Sequence, residues 1–174
     1  MFDKEYSFKG GHAEKVIKLT APFSIESNAG LFERNLDVYL VAPIVGFLYG
    51  RKAEMQTGID RVINHTQLIY EKTNLVFNYR LIMLLDEKHE PNIDERINKA
   101  FKYFGSDKAA ADEALYEEYV RGGVDVLYEK LIETANSPDD YIKNLYDFLE
   151  EFDERYNQAV STEDIIDLCK LARS

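Results

Sequence analysis

The chain has 174 residues, 45% of them apolar and 13% aromatic, and a formal net charge of −11; so much apolar side chain excludes an intrinsically disordered protein, and the length is that of one ordinary domain. The single cysteine, Cys169, excludes an internal disulfide and a multi-thiolate metal site, and points to a reducing compartment, the cytoplasm. Residues 1–104 are neutral as a whole while 105–174 carry 7 Lys/Arg against 18 Asp/Glu, which excludes a protein that coats nucleic acid with its entire surface.

Met1 to Tyr6 mixes charged and apolar residues where a secretory signal needs a basic start and an apolar run. Gly10-Gly11-His12 then opens a short helix reaching Leu19 and carrying Lys15 and Lys18. Glycine amides at a helix start can hold a phosphate, but this pair lacks both the Walker lysine and the third glycine of a dinucleotide fingerprint. The strongest apolar run, Leu36 to Tyr49, is shorter than the roughly 20 residues that span a bilayer. It reads as the buried centre of the fold, either as one helix bent at Pro43 or as a strand Leu36–Ala42 followed by a helix whose first residue is Pro43. Gly50-Arg51-Lys52 supplies a glycine cap and two cations at its carbonyl end.

From residue 59 the pattern turns helical. Val62, Ile69, Val76 and Met83 recur at seven-residue intervals, with Leu68, Leu75, Tyr79 and Ile82 beside them. This spacing predicts one long helix of about 25 residues, with His65 on it as a buried, hydrogen-bonded histidine. Asp86-x-x-His89, flanked by Glu87 and Glu90, reads as a solvated helix end before Pro91. Its sharper reading is a metal or acid–base site, although paired histidines and the Glu-x-x-His of di-iron bundles are absent. Asn92 and Glu95 form a capping-box variant, and Ile93, Ile97, Ala100, Phe101 and Phe104 follow at helical spacing up to Gly105.

The next helix runs from about Lys108 to Thr134, with Leu115, Tyr119, Val126, Leu127 and Leu131 as its apolar positions. They straddle Gly122-Gly123, a pair that costs about 2 kcal/mol relative to two alanines in an exposed helix and so predicts a kink or a very close approach to a neighbour. Ser137-Pro138-Asp139-Asp140 starts a helix whose inward face is Tyr141, Leu145, Phe148 and Phe152, with Ile142, Leu149 and Tyr156 alongside. Asp147, Glu150, Glu151, Asp153 and Glu154 are left for its other face. Ser161 and Asp164 begin a final helix with Ile165, Cys169 and Ala172 inward, Cys169 being a small core residue.

Two charged surfaces are candidates for contact. Lys9, Lys15, Lys18, Arg34, Arg51 and Lys52 would together suffice for salt-sensitive contact with DNA phosphates or with a protein partner, if they meet in space, against the plainer reading of ordinary surface solubility. The carboxylates Asp147, Glu150, Glu151, Asp153 and Glu154 offer an acidic partner-binding face or a mimic of DNA phosphates, against the plainer reading of a solvated helix face.

Tyr6-Ser7-Phe8, the helix around His12 to Leu19, and Asn35-Leu36-Asp37-Val38-Tyr39-Leu40-Val41-Ala42 running into Gly46-Phe47-Leu48-Tyr49-Gly50-Arg51-Lys52 resemble small accessory proteins encoded with bacterial DNA-phosphorothioation (Dnd-type) and related defence clusters. In those proteins a similar apolar helix ends in a Gly-Phe-x-x-Gly-basic turn. The resemblance implies a cytoplasmic bacterial accessory subunit that works through partners near DNA and has no chemistry of its own.

The expectation is thus an all-α, single-domain helical bundle of about six helices over residues 1–174, with room for a short extended segment at the N-terminus. Its expected role is a non-enzymatic adaptor without cofactor, metal or membrane segment, engaging a protein partner, DNA through the N-terminal cations, or a second copy of itself. An acidic DNA-mimic inhibitor and a metal-dependent enzyme around Asp86 and His89 are the alternatives.

Overall fold

The computed structural model describes residues 1–24 and 28–156; the expected final helix from Ser161, with Cys169, lies outside them. The described chain is predominantly helical, as expected. Its α-helices are α1 (Gly11–Leu19), α2 (Asn35–Leu48), α3 (His65–Tyr70), α4 (Lys72–Leu85), α5 (Ile93–Ile97), α6 (Ala110–Leu131) and α7 (Pro138–Tyr156). A π-helical turn, Asn98–Lys102, extends α5, and a 3-10 turn, Asp107–Ala109, leads into α6. The extended segment is β1 (Tyr6–Lys9), paired antiparallel with β2 (Asp60–Ile63) in the register Tyr6 to Ile63 and Lys9 to Asp60.

The apolar run folds as a single helix that continues through Pro43. Asp37 caps its start, accepting from the Arg34 amide at 2.8 Å and the Arg34 guanidinium at 2.6 Å. At its end Gly50 takes a left-handed φ of 63°, and the Gly50 and Arg51 amides return to the Phe47 and Gly46 carbonyls at 3.0 and 2.8 Å. The expected glycine cap is therefore formed.

α2 lies against α6 at backbone contact. A Cβ added at Gly123 would overlap the Ala42 carbonyl, one at Gly46 the Tyr119 carbonyl, and one at Gly122 the Arg51 carbonyl. Gly122-Gly123 therefore marks a close approach, and α6 continues unbroken through it. Ala42 meets Gly123 while Gly46 meets Tyr119, so the two helices run in opposite directions. Past the α2 cap the chain stays on α6, since the Ala53 amide donates to the Glu118 carbonyl at 3.1 Å and Arg121 Nε to the Ala53 carbonyl at 2.8 Å.

The single long helix expected from residue 59 is instead a strand and two helices. Asn64 and Gln67 form a capping box, the Gln67 amide donating to Asn64 Oδ1 at 2.9 Å and the Asn64 amide to Gln67 Oε1 at 3.3 Å, so a helix can start only after Asn64. Before it, Val62 and Ile63 are β-branched and β1 offers a partner edge. Val62 and Ile69 are consequently exposed, whereas Leu75, Tyr79, Ile82 and Met83 are buried as expected. His65, at the first position of α3, is exposed and not a core histidine.

α5 also departs from expectation. Asn92 caps it, its Oδ1 accepting from the Asp94 and Glu95 amides at 2.9 and 3.2 Å, but Ile93, Ile97 and Phe101 face outward and Arg96 and Ala100 inward. Ion pairs select that face: Arg96 to Glu87 at 3.0 Å, and Lys99 to Glu90 at 3.4 Å and to the buried Asp112 at 3.3 Å. Unpaired, these inward charges would each cost several kcal/mol.

α7 begins at Pro138, with the Asp140 amide donating to Ser137 Oγ at 3.3 Å and the Asn136 and Ser137 amides donating to Asp140 Oδ2, both at 2.9 Å. Phe148 is buried and Tyr141 and Phe152 pack partly against the core, while Leu145 sits at the margin. Replacing Gly123 with alanine sets Cβ against a carbonyl of the neighbouring backbone, which no rotamer relieves. Gly123→Ala is expected to lose about 3 kcal/mol or more in urea denaturation, and a neutral or stabilising result would refute the close approach.

Candidate functional site

Glu117 on α6 is the carboxylate with the most unusual setting. Its Oε1 accepts from Tyr39 Oη at 2.8 Å, and its Oε2 is buried with no hydrogen-bond partner among the described residues. It forms part of the wall of an open cleft of about 360 Å³ between β1 and α6, shared with Tyr6, Phe8, Lys9, Gln56 and Arg121. Burial pushes its pKa above the ordinary 4.5, outweighing the Tyr39 and Tyr6 hydroxyls and the nearby Arg121 cation, which act in the opposite direction. The arrangement holds a proton more tightly than an ordinary glutamate and leaves one carboxyl oxygen to receive a donor from the cleft. Glu113, Glu117 and Arg121 stand at four-residue spacing beside the apolar stripe of α6, a pattern that could have drawn attention to Glu117 but that also describes an ordinary solvated helix face.

The glycine pair is occupied by its own fold. Gly10 takes φ 56° and its amide donates to the Ile59 carbonyl at 2.8 Å, while the Gly11 amide donates to Gln56 Oε1 at 2.8 Å. Behind it, His12 is buried with Nε2 at 3.4 Å from Asp125 Oδ1, without hydrogen-bond geometry. Lys15 Nζ lies 2.8 Å from the same oxygen. Burial works to raise the Asp125 pKa, but His12 and Lys15 outweigh it and hold the carboxyl below its ordinary value.

The six N-terminal cations are dispersed in their contacts. Lys15 and Lys18 lie over the Tyr128 ring at 5.5 and 5.3 Å, and Arg51 pairs with Glu129 at 2.7 Å, so these three gather along the second half of α6. Lys52 lies over Tyr119 at 4.8 Å, Arg34 is engaged by Asp37 at the start of α2, and Lys9 sits on the rim of the Glu117 cleft. Lys15, Arg34 and Arg51 each face a carboxylate, which neutralises much of the charge a phosphate backbone would meet.

On α7 the carboxylates divide. Asp147, Glu150, Asp153 and Glu154 are exposed, but Glu151 turns inward, where it accepts from Lys130 at 2.6 Å and Tyr49 Oη at 3.1 Å. The expected acidic face thus loses Glu151, because α7 rests on α6 through that ion pair. Asp86 is likewise committed to structure: its Oδ2 accepts from Tyr119 Oη at 2.7 Å and its Oδ1 from the His89 backbone amide at 3.2 Å. The His89 residue is exposed, and no group of three His, Cys, Asp or Glu side chains among the described residues is placed to hold a metal ion. No described helix is long and apolar enough to cross a membrane.

Two apolar grooves were not expected. One, of about 560 Å³, is lined by Val76, Phe77, Arg80, Leu81, Leu84 and Phe101. The other, of about 330 Å³ between α2 and α7, is lined by apolar side chains alone.

Because folding raises the Glu117 pKa, the stability this group contributes is full below pH 4.5 and is lost as pH rises through the raised folded value. Glu117→Gln cannot ionise and is expected to gain stability relative to wild type as pH is taken from about 4 to about 7, measured by urea denaturation; a pH-independent difference would refute the assignment. No protein-family model, curated protein or solved structure matches the chain.

Proposed function

We propose that the chain is a non-enzymatic adaptor that binds the helix of a protein partner in the groove between α4 and the π turn. The exposure of Phe77 (63%) and Phe101 (53%) on the walls of that groove carries the reading. Ile93 and Ile97 continue the exposed apolar row on α5. Apolar rows of this kind on a soluble surface mark contact sites, and a partner helix presents anchors at the i, i+3, i+4 and i+7 spacing that such a groove accepts. Arg80 defines the chemistry of the partner. Its guanidinium lies 5.0 Å from the Phe101 ring centre, and its buried Nε has no hydrogen-bond partner among the described residues. An amphipathic helix with a carboxylate beside its apolar anchors matches this surface.

The resemblance of residues 6–52 to Dnd-type accessory proteins supplies the context, a bacterial DNA-modification or defence system in the cytoplasm. The pairing of Lys15 and Arg51 with α6 carboxylates favours work through protein partners over direct contact with DNA. The test is co-expression with the products of the adjacent genes. A stable complex is expected with one of them, weakened about tenfold or more by Phe77→Ser with Phe101→Ser, while circular dichroism and DNA anisotropy stay unchanged. A complex indifferent to both substitutions, or none with any neighbour, would overturn the reading.

A further inference from the structure

One edge of β1 is taken up by no other strand. The two-stranded sheet pairs it with β2 alone, and the bond from the Gly10 amide to the Ile59 carbonyl sets the phase of that ladder. Bonded positions alternate in an antiparallel pair, so Tyr6 and Phe8 turn their backbone groups to β2 while Ser7 and Lys9 turn theirs away. All four residues line the cleft against α6. Successive side chains leave a strand on opposite faces, so a cleft that touches all four is bordered by the free edge itself. Among the described residues no further backbone group takes up the two amides and two carbonyls of that edge.

The charges around the cleft are balanced and unspent. Glu117 and Glu118 of α6 line it together with Arg121, one turn on, and Lys9. No ion pair among the described residues engages any of the four. Arg121 commits only its Nε, to the Ala53 carbonyl at 2.8 Å, and Glu117 keeps Oε2 buried with no hydrogen-bond partner among the described residues. A buried carboxyl oxygen without a donor is a standing cost, which a ligand N–H group relieves. A simple cation in this cleft is repelled by Lys9 and Arg121, and a simple anion by Glu117 and Glu118. A zwitterion avoids both, and its ammonium and carboxylate suit the free carbonyls and amides of the strand edge. Tyr6, Met55 and Ala114 add apolar lining, and a volume of about 360 Å³ lies at the small end of ligand cavities. We propose that the cleft between β1 and α6 binds a free α-amino acid with an apolar side chain, its ammonium donating to Glu117 Oε2 and its carboxylate held by Arg121 and Lys9.

This cleft shares no lining residue with the α4 groove, so the outcome here is independent of the adaptor reading. The test is calorimetric titration of the full chain with L-leucine, L-methionine and L-phenylalanine. At least one is expected to bind with a Kd of about 1 mM or tighter. For leucine, the amine without the carboxylate, 3-methylbutylamine, and the acid without the amine, 4-methylpentanoate, should each bind the same wild-type protein at least about tenfold more weakly. Glu117→Gln should weaken amino-acid binding by about tenfold or more and Lys9→Gln, at an exposed position, by about threefold, with circular dichroism unchanged. Binding of none of the three amino acids, analogues that bind as well as the parent, or an affinity indifferent to both substitutions would overturn the proposal. Tighter binding of the doubly blocked N-acetyl-leucine amide would also overturn it, in favour of an extended peptide added to the edge of β1.

Discussion

The approach of α2 to α6 at backbone distance is the constraint on which the rest of this structure depends. Ala42, Gly46, Gly122 and Gly123 remove the side chains that would hold the helices apart, and the dispersion gained along two fully apposed helix surfaces offsets the entropy that each glycine costs. The Gly46-Phe47-Leu48-Tyr49-Gly50-Arg51 turn has a physical meaning in these terms. Gly46 admits α6, Gly50 permits the left-handed cap, and Arg51 reaches Glu129 once the chain has reversed.

This central pair organises the polar groups as well as the core. α6 faces α2, α1, the chain after α2, the π turn after α5, and α7, and to each it presents a charged group: Glu117 to Tyr39, Asp125 to Lys15, Glu129 to Arg51, Asp112 to Lys99, Lys130 to Glu151. Five of the eighteen acids of residues 105–174 therefore serve as internal wiring between elements. Asp125 and Glu117 illustrate the two outcomes of partial burial. His12 and Lys15 beside Asp125 more than compensate its desolvation, whereas tyrosine hydroxyls beside Glu117 do not.

The same accounting separates surfaces that are spent from surfaces that are open. Most of the N-terminal cations and the inward acid of α7 are used within the fold, whereas the apolar grooves on α4 and α2 are open among the described residues. Arg80 between Phe101 and Phe104 gives the first of these a polar anchor. The second has none, its lining being apolar alone.

The sequence by itself determined the helical class, the burial of the apolar run, the α6 stripe and the ends at Gly50, Asn92 and Pro138, because each rests on a local signal: periodicity, a cap, a proline or a glycine. It also marked Gly122-Gly123 as a place of kink or close contact. Tertiary structure alone decided between the two, since the carbonyl that forbids a Cβ at Gly123 belongs to another helix. It likewise decided that Ile59 to Ile63 pair with β1 through the Gly10 amide and the strand ladder, although their sevenfold spacing with Ile69 and Val76 favoured a helix. For α5, ion pairs from Glu87, Glu90 and Asp112 outweighed the apolar face written by Ile93, Ile97 and Phe101. Those three carboxylates come from a loop and a distant helix, and no reading of one segment at a time contains them.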